Sequence, residues 1–269
     1  MTHIRTIALG SVATVAAVSV LTACSSTPST TSPGAGSSGS STSAALSGSI
    51  NVFAAASLQE TFGMIIKQFT AAHPGVTVTP NFGASSALAT GITQGQPADV
   101  FASASQTNMD AVVKAGGAAS SKAFASNVME IAVPPANPAN ITGVNDLAKP
   151  GIKVALCQPQ VPCGSVAAKV FAKAKITVTP VSQEADVKSV LTKVQLGEVD
   201  AGVVYVTDVK AAGAKVKGVE ITADVNASTS YPVATLTKAP NPALAAAFVA
   251  YVLSPDGAAV LKAGGFAAP

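Results

Sequence analysis

The sequence predicts an α/β fold with largely parallel sheets over residues 49–269. Three observations carry that expectation. Short apolar runs of strand length alternate with segments of helical periodicity. Polar breaks separate the runs in a body rich in Ala and Val. This body, about 220 residues long, suffices for one large core or two smaller ones.

The elements follow in chain order. Residues 1–23 combine a cationic start at Arg5, an uncharged apolar stretch and Leu21-Thr22-Ala23 before Cys24, the pattern of a secretory signal. Its apolar run falls short of the roughly 20 residues a spanning helix needs, and no later segment supplies such a run. The small residues before Cys24 resemble the bacterial lipobox, which implies cleavage there, acylation of the Cys24 thiol and a tether on the outer face of the cytoplasmic membrane. Residues 24–48 are almost entirely Ser, Thr, Pro, Gly and Ala, a composition that cannot offset its ordering entropy by burial. A coil of that length spans on the order of 25–30 Å, enough for a leash.

In the body, residues 49–55 read as a strand, and residues 58–72 place Phe62, Ile65, Ile66 and Phe69 on one helical face. Further strands are expected at 76–81, 99–104, 128–133, 154–156 and 201–206. Helices are expected at 87–93, 108–115, 165–173 and 187–196. In such a fold, ligands belong at the C-terminal ends of strands, where helices begin.

Composition excludes several functions. Charge is sparse and nearly balanced (16 Lys and Arg against 13 Asp and Glu), and the lysines are scattered, so nucleic acid is not an expected partner. The single arginine, Arg5, lies in the signal, so a guanidinium clamp on an anion is unavailable to the body. Beyond His3 the one histidine is His73, in an Ala-Ala-His-Pro-Gly context that reads as a helix end at the surface. A histidine-based metal site or a Ser-His pair would have to rest on it alone. With no G-x-S-x-G or S-x-x-K motif, the chain is not expected to be an enzyme and needs no cofactor. With Cys24 assigned to lipid, Cys157 and Cys163 form an even pair in an oxidising setting. A disulfide is compatible with this, and two free thiols are the alternative.

Donor groups gather at the strand-to-helix junctions. Ser57 precedes Glu60 by three residues, a capping-box spacing that leaves its hydroxyl free to donate outward to an anion. Phe82-Gly83-Ala84-Ser85-Ser86 offers two serines at a helix start, between which periodicity does not choose. Pro162-Cys163-Gly164 presents backbone amides before a helix. Asp186 reads as a cap ahead of Val187, and Tyr205 ends a strand with a phenol.

Together these segments resemble the molybdate-binding proteins of ABC importers, from about residue 49 to residue 266. The resemblance is carried by Val52-Phe53-Ala54-Ala55-Ala56-Ser57-Leu58, Phe82-Gly83-Ala84-Ser85-Ser86, the stretch from Gly95-Gln96-Pro97-Ala98-Asp99 to Ala104, Gly202-Val203-Val204-Tyr205 and Tyr231-Pro232-Val233-Ala234. It implies a two-lobed periplasmic-binding-protein fold of type II. Lobe 1 would comprise residues 49–131 and 231–269, and lobe 2 residues 132–230. Two crossings, near 128–134 and 231–234, would serve as hinges. It further implies that Ser57 and Ser85 donate from lobe 1, and that the Cys163 and Val187 amides and the Tyr205 hydroxyl complete an oxyanion cage from lobe 2. The family usually has Pro-Ala-Gly at 162–164, so a backbone role transfers to Cys163 more directly than a thiol role.

A cage of hydroxyls, amides and helix N-termini suits an oxyanion without protons, and protonated phosphate would need an acceptor. Molybdate, tungstate and sulfate fit that chemistry, and the resemblance favours molybdate, held as the oxyanion with no bare metal ion. The implied partners are the oxyanion, an ABC permease and, through Cys24, the membrane; the protein is expected as a monomer. A lipoprotein with a purely structural or adhesive role is the rival, and it predicts no tight small-anion ligand.

Overall fold

A computed structural model describes residues 46–269. The signal at 1–23, the Cys24 acylation site and nearly all of the 24–48 leash lie outside the described residues.

Strand β1 (Gly48–Ala55) is buried along its second half, as befits a central strand with parallel neighbours on both sides. A 3-10 turn at Ala56–Leu58 leads to α1 (Gln59–Ala72), whose face of Phe62, Ile65 and Phe69 is 0–1% exposed. Each such burial stabilises by roughly 1.5–3 kcal/mol. His73 ends α1 with its ring 4.6 Å from that of Phe69, the surface helix end expected of it. Edge strand β2 (Val76–Gly83), α2 (Ser85–Thr93), β3 (Val100–Ala102) and α3 (Gln106–Lys114) follow.

The long β4 (Lys122–Val133) comes next, beginning six residues before the expected start. Then come β5 (Val154–Cys157), α4 (Pro162–Ala174), β6 (Ser182–Glu184), α5 (Val187–Gln195), β7 (Ala201–Tyr205), α6 (Val206–Ala212), β8 (Lys217–Glu220) and β9 (Ser228–Thr235). The C-terminal helices α7 (Pro242–Val252) and α8 (Pro255–Gly264) close the first body. Asn241 and Ser254 cap them, and Pro at the first helical position fixes each entry.

The strands run in the order β2-β1-β3-β9-β4-β7-β5-β6, with β8 also on β4. β1 pairs in parallel with β2 and β3, and β5 with β6 and β7, but β4 and β9 are antiparallel to all their partners. The expectation of largely parallel sheets is therefore corrected to two parallel sets joined through an antiparallel pair. The cause is that β4 runs on from one body into the other and β9 lies against its first half, so neither is set beside its neighbours by the helical crossover that parallel pairing needs.

β4 changes partners midway. Residues 122–128 pair with β9, whereas 129–133 pair with β7 and β8. The cores divide at the same place. One is built from Met129 through Ala227 with Ala56 added, and the others from the flanking segments, including Ile50, Phe62, Tyr231 and Phe248. Two α/β lobes thus share β4, and the chain returns to the first between Ala227, the last residue of the second core, and β9, which pairs only with β3 and the first half of β4. Val128 sits at the changeover, 38% exposed, where neither core covers it.

Candidate anion site

Between the lobes, six strand ends converge on one cavity. Ala55, Ala56 and Ser57 follow β1, Gly83, Ala84 and Ser85 span the end of β2, and Ala104 follows β3. From the other side come Val161, Pro162 and Cys163 after β5, Asp186 and Val187 after β6, and Tyr205 at the end of β7. Ser57, Ser85, Cys163, Val187 and Tyr205, dispersed over about 150 residues of chain, thus line one space. Its empty volume is about 210 Å³ including its mouth, below the roughly 300–1,000 Å³ of pockets for drug-sized ligands.

The lining offers donors. The α4 start leaves the amides of Cys163 and Gly164 without a helical acceptor, since Pro162 has no N–H and the Ser165 amide donates to the Val161 carbonyl. At α5 the Asp186 carboxylate accepts from the Ser189 amide at 2.9 Å and the Val190 amide bonds the Asp186 carbonyl. The amides of Val187 and Lys188 remain, and Asp186 is the helix cap its position suggests. At α2 the amides of Ser85, Ser86 and Ala87 are likewise without helical acceptors. Three N-termini of helices nine or more residues long therefore bring partial positive charge to one point.

The hydroxyls are oriented by long-range partners. The Ala104 amide donates to Ser85 Oγ at 2.9 Å, so the serine's own proton is free for the cavity. Of the two serines between which periodicity does not choose, Ser85 is 1% exposed and borders the cavity, and Ser86 is not among its lining residues. Ser57 Oγ lies 2.8 Å from the Tyr231 hydroxyl. This corrects the capping-box expectation: Ser57 sits in the 3-10 turn, α1 has no side-chain cap, and Glu60 turns away to Lys188. Tyr231 itself is absent from the cavity lining, so it supports the site from behind.

Tyr205 is 1% exposed and its hydroxyl has no partner among the described residues, while the phenol borders the cavity. Burial, then the neighbouring Tyr231 and Asp208, pushes the Tyr205 phenol well above its ordinary range. It remains an O–H donor throughout the neutral and mildly alkaline range. Its backbone amide donates to Asp208 Oδ2 at 3.1 Å. Asp208 is fully buried, and burial raises its carboxyl despite Lys188 Nζ 3.0 Å from Oδ1.

Cys157 and Cys163 form a disulfide with Cα atoms 5.7 Å apart, closing the loop that carries the Cys163 amide. Gly164 beside it has no room for a side chain, because a Cβ would collide with the carbonyls of Gln158 and Cys157. Sequence reasoning named the Gly164 amide but missed the lack of room for a side chain there, and it missed Tyr231 as the partner of Ser57, and Lys188. The first has a local signal in Pro-Cys-Gly; the other two act through contacts 174 and 128 residues apart. Among the described residues no group of three His, Cys, Asp or Glu side chains is arranged to hold a metal ion, and no single helix is long and apolar enough to cross a membrane.

Residues 50–267 match the family of bacterial extracellular solute-binding proteins. The chain is 46% identical over 222 residues to the molybdate-binding protein ModA of Mycobacterium tuberculosis (strain ATCC 25618 / H37Rv), covering 82% of this chain and 85% of the relative. Among solved structures it resembles the Azotobacter vinelandii periplasmic molybdate-binding protein, with a TM-score of 0.72 at 20% identity over 82% of this chain and 99% of that one. The sulfate-binding protein SubI from Mycobacterium tuberculosis H37Rv is equally similar in fold, with a TM-score of 0.72 at 22% identity over 81% and 86%.

Proposed function

The chain belongs to the bacterial extracellular solute-binding proteins, and from that membership we propose that it captures molybdate and delivers it to the permease of an ABC-type importer. It is a binding protein of a transport family, not an enzyme. The observation that carries the anion reading is the cavity of converging donors, in which the buried Tyr205 hydroxyl has no partner among the described residues. Ser57, Ser85 and Tyr205 would donate through hydroxyls, and Cys163 and Val187 through backbone amides.

Such a site favours a tetrahedral dianion over protonated phosphate. The one carboxylate at its border, Asp186, already accepts the Ser189 amide as a helix cap and so is poorly placed to take a ligand proton. A water-excluded setting strengthens each donor without a formal cation at the ligand. The equal likeness in fold to a sulfate-binding and a molybdate-binding protein means architecture does not choose the anion. What favours molybdate is the 46% identity to a relative bearing that name, and tungstate, nearly the same size, is expected to bind as well.

The same proposal includes cleavage before Cys24, its acylation, a leash over 24–48 and a monomeric receptor on the outer face of the cytoplasmic membrane. It also includes the division into residues 49–131 with 231–269 and residues 132–230, with the first crossing drawn in to 128–129, where β4 exchanges β9 for β7 and β8. Support comes from the signal-like first two dozen residues and from the cores meeting where β4 changes partners. Conversion of Cys24 to Ser is expected to abolish lipid labelling and release the protein from membranes; retention would refute the anchor.

Titration calorimetry and thermal shift with molybdate, tungstate, sulfate and phosphate test the capture reading. Binding to none of the four would refute it. Ser57→Ala and Ser85→Ala should each weaken molybdate binding by about 1–3 kcal/mol, by leaving an anion oxygen short of a donor.

A further inference from the structure

We propose that Lys188 is a charge latch between the lobes: seated between Asp208 of its own lobe and Glu60 of the other, it holds the cleft closed and slows release of the anion. The inference rests on the capture reading and adds to it the control of residence time.

Lys188 Nζ donates to Glu60 Oε1 at 2.9 Å and Oε2 at 2.8 Å, and lies 3.0 Å from Asp208 Oδ1. Glu60 stands in the first turn of α1, whose apolar face belongs to the first lobe's core. Lys188 is the second residue of α5 and Asp208 is on α6, both packed on the second. The two ion pairs are unequal. Asp208 is 0% exposed and cannot be left alone, whereas the Glu60 side chain is 46% exposed and can return to water. The Lys188–Asp208 pair thus persists when the lobes separate, and the Lys188–Glu60 pair exists only when they meet.

A contact made in only one of two states shifts the population toward it. Both ends of this one are continuous with the anion cavity. Glu60 follows Ser57 by one helical turn, Lys188 is the neighbour of Val187, and Asp208 holds the Tyr205 amide through its second oxygen. Lys188 also balances the buried Asp208 charge beside a cavity built for a dianion. Its ammonium is held more tightly protonated than usual, the attraction of the two carboxylates outweighing burial.

Stopped-flow release of molybdate from the purified full chain, in wild type and Glu60→Gln, reads the latch directly. With Glu60 half exposed, the expected gain in release rate is about two- to five-fold at low ionic strength, with the association rate unchanged. The difference should vanish near 0.5 M salt, where the Debye length is roughly 4 Å, and wild-type release should itself accelerate with salt. Glu60→Lys, which sets like charges face to face, should release faster than Glu60→Gln. Equal release rates at low salt, or a difference undiminished at high salt, would overturn the latch. Small-angle scattering of the anion-free protein is a second arm that needs no ligand. Glu60→Lys should raise the radius of gyration over wild type at low salt, and identical curves would overturn the proposal even if the wild type bound no molybdate. Absence of molybdate binding by the wild type would instead refute the capture reading.

Discussion

Replacement of Tyr205 by Phe removes one hydroxyl and leaves the ring in its packing, including the edge contact with Tyr231 at 6.3 Å. In the anion complex the lost bond is a charge-assisted one, worth about 1.5–3 kcal/mol, so affinity should fall roughly 10- to 150-fold. In the anion-free protein the same hydroxyl is buried with no partner among the described residues, so its removal strands none of them. The apo melting temperature should therefore stay constant or rise. Ligand at about 1,000 Kd stabilises by about 4.1 kcal/mol, which the variant at the same concentration should reduce to about 1–2.6 kcal/mol. With about 2–4 °C per kcal/mol for a domain of this size, the ligand-induced shift should shrink by about 3–12 °C. Calorimetric titration and scanning calorimetry on the same preparations measure both quantities. A fall in apo melting temperature with affinity intact would refute the reasoning, since it would make the hydroxyl a structural group.

Three further outcomes follow from the same geometry. Gly164→Ala should destabilise by about 1–3 kcal/mol and weaken anion binding together, because a Cβ meets backbone carbonyls that cannot swing aside; chemical denaturation and calorimetry check this, and a neutral effect would show that the loop yields. Reduction of the Cys157–Cys163 bond should lower stability by about 2 kcal/mol and weaken binding by loosening the loop that carries the Cys163 amide, and unchanged affinity after verified reduction would exclude pre-organisation. Affinity for molybdate should be flat from about pH 7 to 10: the raised Tyr205 phenol keeps its proton above the ordinary tyrosine value near 10, so the donor is present below that point and lost only as pH rises through the elevated one. A decline centred near pH 10 in calorimetric titrations would show an unshifted phenol at the site.

Much of the frame was legible in local sequence. The i, i+3, i+4, i+7 spacing of Phe62, Ile65, Ile66 and Phe69 marks α1, and only Ile66 departs, half-buried at the edge of the core. Helices α7 and α8 were harder to read because an Ala-rich stretch has no contrasting polar face. Their signal lies in the caps, Asn241-Pro242 and Ser254-Pro255. The first half of β4 mixes Lys122, Ser126 and Asn127 among apolar residues, and it is a strand because β9 supplies its partners.

The sequence by itself determined which chemistry was available: a body without arginine, with one histidine after residue 3, and with serines, amides and a phenol at strand ends. Burial side and helix starts are local properties, and periodicity and capping residues record them. Tertiary structure alone decided how those groups are used. Ser57 could have capped α1, and instead meets Tyr231 across 174 residues; Glu60 could have completed that cap, and instead meets Lys188 across 128. A polar side chain takes the partner that burial leaves it, and which partner that is depends on how β4 and the return of the chain ahead of β9 bring the two lobes face to face.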